Sequence, residues 1–229
     1  GRMMAQAVTG TPGQVNSMME ATRCFLEVYP ASVMREGDAY ITNDPWASCG
    51  HLHDFTVLTP VFKRGTLVAM MVSTAHVVDI GGRGLGPEGR QVYEEGLFIP
   101  IMPLARGGVV NEDLLRIVRA NVREAMQVEG DLMSLLTSNE DGARRLGAML
   151  DEFDIDSLQP LADHILRTSQ EATLKRLAEL PHGKWNAVRM RDGYDFPVRL
   201  EATLEVHGQG VHVDYSGTSG PSKYGINVV

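Results

Sequence analysis

The sequence predicts an α+β fold: a mixed β-sheet region built around one hairpin, a central helical segment, and a C-terminal antiparallel β region. Three observations carry this. Short β-branched runs separated by Gly-rich loops fill residues 1–110, helical spacing of apolar residues fills 111–183, and strict apolar/polar alternation fills 184–229. With 229 residues, 43% hydrophobic and 22% charged, the chain is long enough for one large domain or two small ones with a substantial core.

The elements follow in order. Met18, Thr22, Phe25 and Leu26 recur at helical spacing within 14–28, and Pro30 ends that helix. Gly37-Asp38 turns into a short strand over 39–43, which Asp44-Pro45 stops. Residues 55–62 and 66–74 read as a hairpin about Lys63-Arg64-Gly65. The return strand, with Leu67-Val68-Ala69-Met70-Met71-Val72 apolar on both faces, is expected to be a buried central strand. Asn111 before Glu112 and Asp113 is an N-terminal helix signal, acidic where the helix dipole is positive. Longer helical patterns cover 130–153 and 161–180, the last stopped by Pro181-His182-Gly183. Finally, Val198 to Val206 and Val211 to Tyr215 alternate with polar residues. Folding about 207–210 sets Val206 opposite Val211, Leu204 opposite Val213 and His212 opposite Glu205.

Charge and composition exclude several classes. Lys plus Arg total 21 against 29 Asp plus Glu, a net charge of −8, and 6% aromatic residues offer no stacking platform, so nucleic acid is not expected as a partner. No apolar run reaches the ~18–20 residues of a membrane span. Two cysteines, Cys24 expected in the core on the apolar side of the first helix and Cys49 in a loop, fit a reducing cytoplasm rather than a disulfide framework. The chain opens Gly1-Arg2-Met3-Met4 and closes on apolar Ile226-Asn227-Val228-Val229, which is expected of an internal piece of a longer protein.

Chemistry concentrates in the first region, where His-x-x-Asp occurs twice: His51 to Asp54 and His76 to Asp79. Imidazole and carboxylate together suit Zn, Mn or Fe in the divalent state, although the same spacing serves loop capping. The hairpin adds weight. Antiparallel pairing centred on Arg64 puts His51 opposite Val77, beside His76, and Asp54 opposite Thr74. His53 is an alternative to His51, but strand alternation would turn the two to opposite faces. Asp44 is either an orienting group for a metal ligand or the cap of an Asp-Pro turn. Cys49 is a thiolate candidate beside two histidines or a small buried thiol. The run Gly81-Gly82-Arg83-Gly84-Leu85-Gly86 is able to form an anion-binding nest with Arg83 and Arg90, or a loop shaping a pocket. It lacks the Gly-Lys-Ser/Thr ending of a phosphate-binding loop, and no other nucleotide motif is present.

Thr42-Asn43-Asp44-Pro45, Gly50-His51-Leu52-x-Asp54-Phe55-Thr56 and His76-x-x-Asp79-Ile80-Gly81-Gly82 together resemble the hydantoinase B/oxoprolinase family. Further matches in order are Tyr93-x-Glu95-Gly96-Leu97-x-Ile99-Pro100, Asn121-Val122-Arg123, Gly142-Ala143-Arg144-Arg145-Leu146 and Asp214-Tyr215-Ser216-Gly217. Ser48-Cys49-Gly50 departs from the Gly-Gly-Thr that many relatives carry there. His53 replaces a residue that is often Pro.

The resemblance implies a B-type catalytic component of an ATP-dependent cyclic amide hydrolase acting on hydantoin- or 5-oxoproline-like substrates. A hydantoinase A-type subunit would use the ATP, making a hetero-oligomer. It also implies His51, Asp54, His76 and Asp79 as ligands of a divalent metal, Zn or Mn, with Glu95 as acid/base and Asp44 as an additional ligand or orienting group. Relatives that carboxylate acetone or acetophenone leave a ketone-carboxylase component as an alternative. A self-sufficient metal hydrolase and a non-catalytic assembly component are the others.

Overall fold

A computed structural model describes residues 1–7, 12–208 and 210–227. Val228 and Val229, half of the apolar chain end, and Gln209 of the last turn lie outside the described residues. The elements are α1 (Pro12–Val28), β1 (Ala39–Thr42), β2 (Asp54–Lys63), β3 (Thr66–His76), α2 (Val92–Glu95), β4 (Met102–Arg106) and β5 (Val109–Val110). They continue with α3 (Glu112–Asn121), α4 (Ala125–Glu152), α5 (Gln159–Ala178), β6 (Gly183–Arg191), β7 (Val198–His207) and β8 (Gly210–Asp214). The α+β expectation holds, with two antiparallel sheets and a helical segment that lies between them in the sequence. No helix among the described residues is long and apolar enough to cross a membrane.

Two units form. Residues 1–158 make the first and 159–227 the second, so the helical stretch 111–183 is shared: α3 and α4 belong to the first, α5 to the second. In the second unit β7 lies between β6 and β8, with Val206↔Val211, Leu204↔Val213 and Glu205↔His212 in the expected register.

The first unit is a five-stranded antiparallel sheet in the order β3-β2-β1-β4-β5, covered on both faces. Alternation sorts the strands cleanly. Ile41, Phe55 and Val57 pack against Leu115, Val118, Leu132, Leu135 and Leu136 of α3 and α4. Tyr40 and Leu58 point the other way, against Phe25 of α1 and Met34. Asn111 begins α3 as expected, its Oδ1 accepting from the Leu114 N–H at 3.2 Å.

Three expectations need correction. β3 is an edge strand, and β1 is central; both faces of β3 are apolar because helices cover both faces of the sheet, which says nothing about neighbours along its edges. Cys24 is half-buried rather than in the core, because it sits one position, ~100° around the helix, from the buried Phe25. The hairpin register also differs. Arg64 and Gly65 form a two-residue turn with positive φ at both (49° and 77°), and a bulge falls between Val61 and Phe62. Each moves the pairing by one residue. The result is Asp54↔His76 and Thr56↔Thr74, two residues from symmetric pairing about Arg64. Because the side-chain period is two, the slip leaves every β3 side chain beyond the bulge on its expected face.

One buried acid fixes the far edge of this sheet. Asp38, 2% exposed, accepts from the Gly107 and Arg35 N–H groups, the Tyr40 hydroxyl and the Arg106 guanidinium. Burial pushes its pKa up, yet those donors outweigh burial and hold it below the ordinary aspartate value. The stabilisation is therefore complete above the unfolded-state pKa near ~3.9 and is lost as pH falls through the lower folded-state value. Asp38→Asn should melt lower than the parent at pH 7, and the gap should narrow on acidification below about pH 4. A gap that does not change with pH would show that this carboxylate contributes nothing to acid lability.

Candidate metal centre

The centre sits at the open end of the β2–β3 hairpin, on the sheet face covered by α1. Asp54 opens β2 and His76 closes β3, so their pairing aims both side chains at the same point. His51 reaches it from the turn before β2, held by the hydrogen bond from the Asp54 N–H to the His51 carbonyl at 3.1 Å. Asp54 lies between the imidazoles: His76 Nδ1 is 2.7 Å from Oδ1 and His51 Nδ1 is 3.3 Å from Oδ2. One ligand atom from each of the three residues lies within 4.8 Å of the others, close enough for all three to share one ion with bonds of roughly 2.0–2.2 Å after small adjustments.

The donor set fits such an ion. Asp54's side chain is 2% exposed, and a buried carboxylate needs compensation. Asp38 and Asp79 each find an arginine and backbone N–H groups. Among the described residues, Asp54 has as partners only the two imidazoles and, at 3.5 Å, the Gln14 carboxamide of α1. Two nitrogen donors and a buried carboxylate, with the histidine side chains 61% and 44% exposed, form an open, accessible set suited to a divalent transition metal.

The other expected site residues are placed differently. Asp79 accepts from the Gly81 N–H at 3.1 Å, from the Arg123 N–H, and from the Arg123 guanidinium at 2.6 Å. Burial raises its pKa, but these donors win and leave it below the ordinary value. The second His-x-x-Asp copy thus delivers only its histidine to the cluster. Asp44 Oδ1 accepts from the Trp46 N–H at 3.0 Å, the turn-capping arrangement. Glu95 ends α2 within electrostatic reach of His51, and burial pushes its carboxyl above the ordinary glutamate value while His51 pulls it down. His53 is buried and stacks on the His76 ring at 5.2 Å and 13°. Burial lowers its pKa, and His76 acts in the same direction. Alternation does not separate His51 from His53, because both precede the strand.

The glycine run serves close packing. A Cβ on Gly82 would collide with the Glu95 carbonyl oxygen, and one on Gly81 with that of Asn121. The Gly81 N–H is held by Asp79, and Arg83 pairs with Glu94 at 3.3 Å, so donors expected of an anion nest are engaged within the fold. Gln14, Ser17, Asn43 and Arg123 are contributors to which the motifs assign no role. The polar positions of α1 carry no sequence signal for the sheet face they meet.

The family model for hydantoinase B/oxoprolinase matches residues 1–229. The chain belongs to the hydantoinase B/oxoprolinase family. It is 28% identical to 5-oxoprolinase PfmaA of Pestalotiopsis fici, covering 98% of this chain and 18% of that protein. It is 27% identical to a protein assigned as the B component of a D-/L-hydantoinase in a Pseudomonas species, covering 96% and 39% respectively. The crystal structure of ATP-dependent caprolactamase from Pseudomonas jessenii superposes with a TM-score of 0.81 at 27% identity, over 88% of this chain and 36% of that one. The chain therefore spans well under half the length of these relatives.

Proposed function

We propose that this family member is the catalytic region of a B-type component that hydrolyses a small cyclic amide of the hydantoin or 5-oxoproline class. A separate hydantoinase A-type component would first activate the substrate with ATP, so the working enzyme is a cytoplasmic hetero-oligomer. The observation that carries the reading is the buried Asp54 carboxylate held between His51 and His76, with no lysine or arginine partner among the described residues.

Amide resonance protects the carbonyl, and nitrogen is a poor leaving group. Phosphorylation of the amide oxygen by the partner removes the first obstacle. His51, Asp54 and His76 would hold a divalent ion, Zn or Mn, which supplies a Lewis acid and a water of lowered pKa when bound. Asp54 orients both imidazoles through its two oxygens. Glu95, its carboxyl pushed up by burial, is suited to carry a proton to or from the reacting centre. Asp79 belongs to this reading as a positioning group, tying the segment after His76 to Arg123, and Asp44 fixes the loop that leads to His51.

The test is reconstitution of the complete component with its A-type partner. Ring opening of hydantoin or 5-oxoproline should require ATP, the partner and bound metal together. Turnover without ATP or partner would instead establish a self-sufficient hydrolase. Carboxylation of a ketone with bicarbonate, in the absence of amide hydrolysis, would move the chain to the carboxylase branch. Full activity in metal-free His76→Ala protein would leave only a structural role for the triad.

A further inference from the structure

Beyond the triad, the same face of the hairpin carries a second polar set. Thr56 and Thr74 pair across the strands as the next same-face pair after Asp54 and His76, ~7 Å along. The Thr56 hydroxyl donates to Thr74 Oγ1 at 3.3 Å. From the loop before β2, Ser48 Oγ hydrogen-bonds Thr56 Oγ1, and the Cys49 thiol donates to Thr74 Oγ1 at 3.5 Å. Ser17 of α1 reaches Cys49 Sγ at 3.8 Å, one helical turn from Gln14, which contacts Asp54.

These groups solve a specific problem. Asp54 and His76 are fixed by strand pairing, but His51 stands on an irregular segment with its side chain 61% exposed. Gly50 before it has φ +87°, a conformation that lets the chain turn sharply there and that supplies no restraint of its own. Holding an exposed side chain in one geometry costs conformational entropy, which anchors on the flanking backbone reduce. Downstream, the Leu52 carbonyl is bound by Asn43 at 2.7 Å. Upstream, the Gly50 N–H donates to the Pro45 carbonyl at 3.1 Å, and the side-chain anchors are Ser48 and Cys49, seated on the two threonines. We infer that the Ser48–Thr56–Thr74–Cys49 network is a positioning device that sets His51 against the Asp54–His76 pair and so tightens metal binding.

The inference rests on the metal reading, and the experiment separates the two. Zn²⁺ and Co²⁺ titrations would be run on the intact chain and on Thr74→Val, Thr74→Ser, Cys49→Ala, Cys49→Ser, His51→Ala and the Thr74→Val/His51→Ala double variant. Thr74→Val and Cys49→Ala should each weaken binding about tenfold, the size of effect seen for groups that orient metal ligands. The two serine variants should bind as the parent does, and metal-free melting temperatures should stay unchanged. The double variant should bind no worse than His51→Ala alone, because the network acts through that residue. Parent-like affinity in Thr74→Val and Cys49→Ala would overturn the positioning role and leave the metal reading intact. Additive losses in the double variant would overturn it too. A near-ultraviolet thiolate-to-cobalt band that disappears in Cys49→Ser would make Cys49 a ligand instead. A parent chain that holds neither ion removes both readings.

Discussion

Asp54→Asn is expected to lower metal affinity by more than about 100-fold, beyond the 10–100-fold typical of groups that merely orient ligands, and to leave roughly 1% or less of the activity. The carboxylate supplies the negative charge of the cluster and is the shared partner of both imidazoles, at 2.7 and 3.3 Å. An asparagine keeps the shape but presents one NH₂ group to a histidine nitrogen and binds a divalent ion poorly. His76→Ala should follow closely, and His51→Ala should lose least, since His51 is the most exposed of the three and makes the longer contact. Stability should move the opposite way in the metal-free protein. Removing a charge from a side chain that is 2% exposed relieves desolvation, so Asp54→Asn should melt at or above the parent when no metal is present. Adding Zn²⁺ should raise the parent's melting temperature and leave the variant's unmoved. Equal metal-induced shifts in parent and variant would exclude Asp54 as a ligand.

How much of this centre the sequence reveals depends on which physical rule places each residue. Strand alternation and the turn chemistry of Arg64-Gly65 are local, so the hairpin and its meeting of His51 with His76 can be read directly. The register cannot, because the bulge between Val61 and Phe62 leaves no mark in the local apolar/polar pattern. The slip is harmless to the triad only because it comes to two residues. Asp79 illustrates the opposite limit. Its spacing from His76 copies that of Asp54 from His51, but the first pair straddles the start of β2 whereas the second runs out of β3 into a loop. That loop meets Arg123, 44 residues away, just past the end of α3, and the ion pair with it is a tertiary fact that spacing does not encode. The edge position of β3 is hidden for a related reason: apolar patterning reports what lies above and below a strand and is blind to its edges.

Asn43→Ala is the substitution outside the triad with the largest expected cost, and it connects the fold to the site. Asn43 is fully buried at the end of β1. Its Nδ2 donates to the carbonyls of Leu52 at 2.7 Å and Leu97 at 2.8 Å, and its Oδ1 accepts from the Ile99 N–H at 2.7 Å. Both amide protons and the amide oxygen are therefore committed to backbone that no strand ladder serves. Alanine would leave two carbonyls and one N–H without these partners in a dry interior, at about 1–3 kcal/mol each before relaxation, or roughly 3–5 kcal/mol in total. Against a typical domain stability of about 5–15 kcal/mol, the melting temperature should fall by about 10 °C or more. Asn43→Asp tests the mechanism. It keeps the acceptor for Ile99 but turns its other, negatively charged oxygen on two carbonyls, so it should be no better than alanine despite its shape. The catalytic consequence follows from what is tied. Leu52 lies between His51 and His53, and Leu97 lies two residues beyond Glu95, so one side chain ties the His51 segment to the Glu95 segment. Below its lowered melting temperature, Asn43→Ala should bind metal somewhat more weakly and lose a larger share of turnover, because the distance between the two segments is no longer fixed. A melting shift under about 2 °C, or turnover that falls only in step with metal content, would show that the two segments hold their places independently.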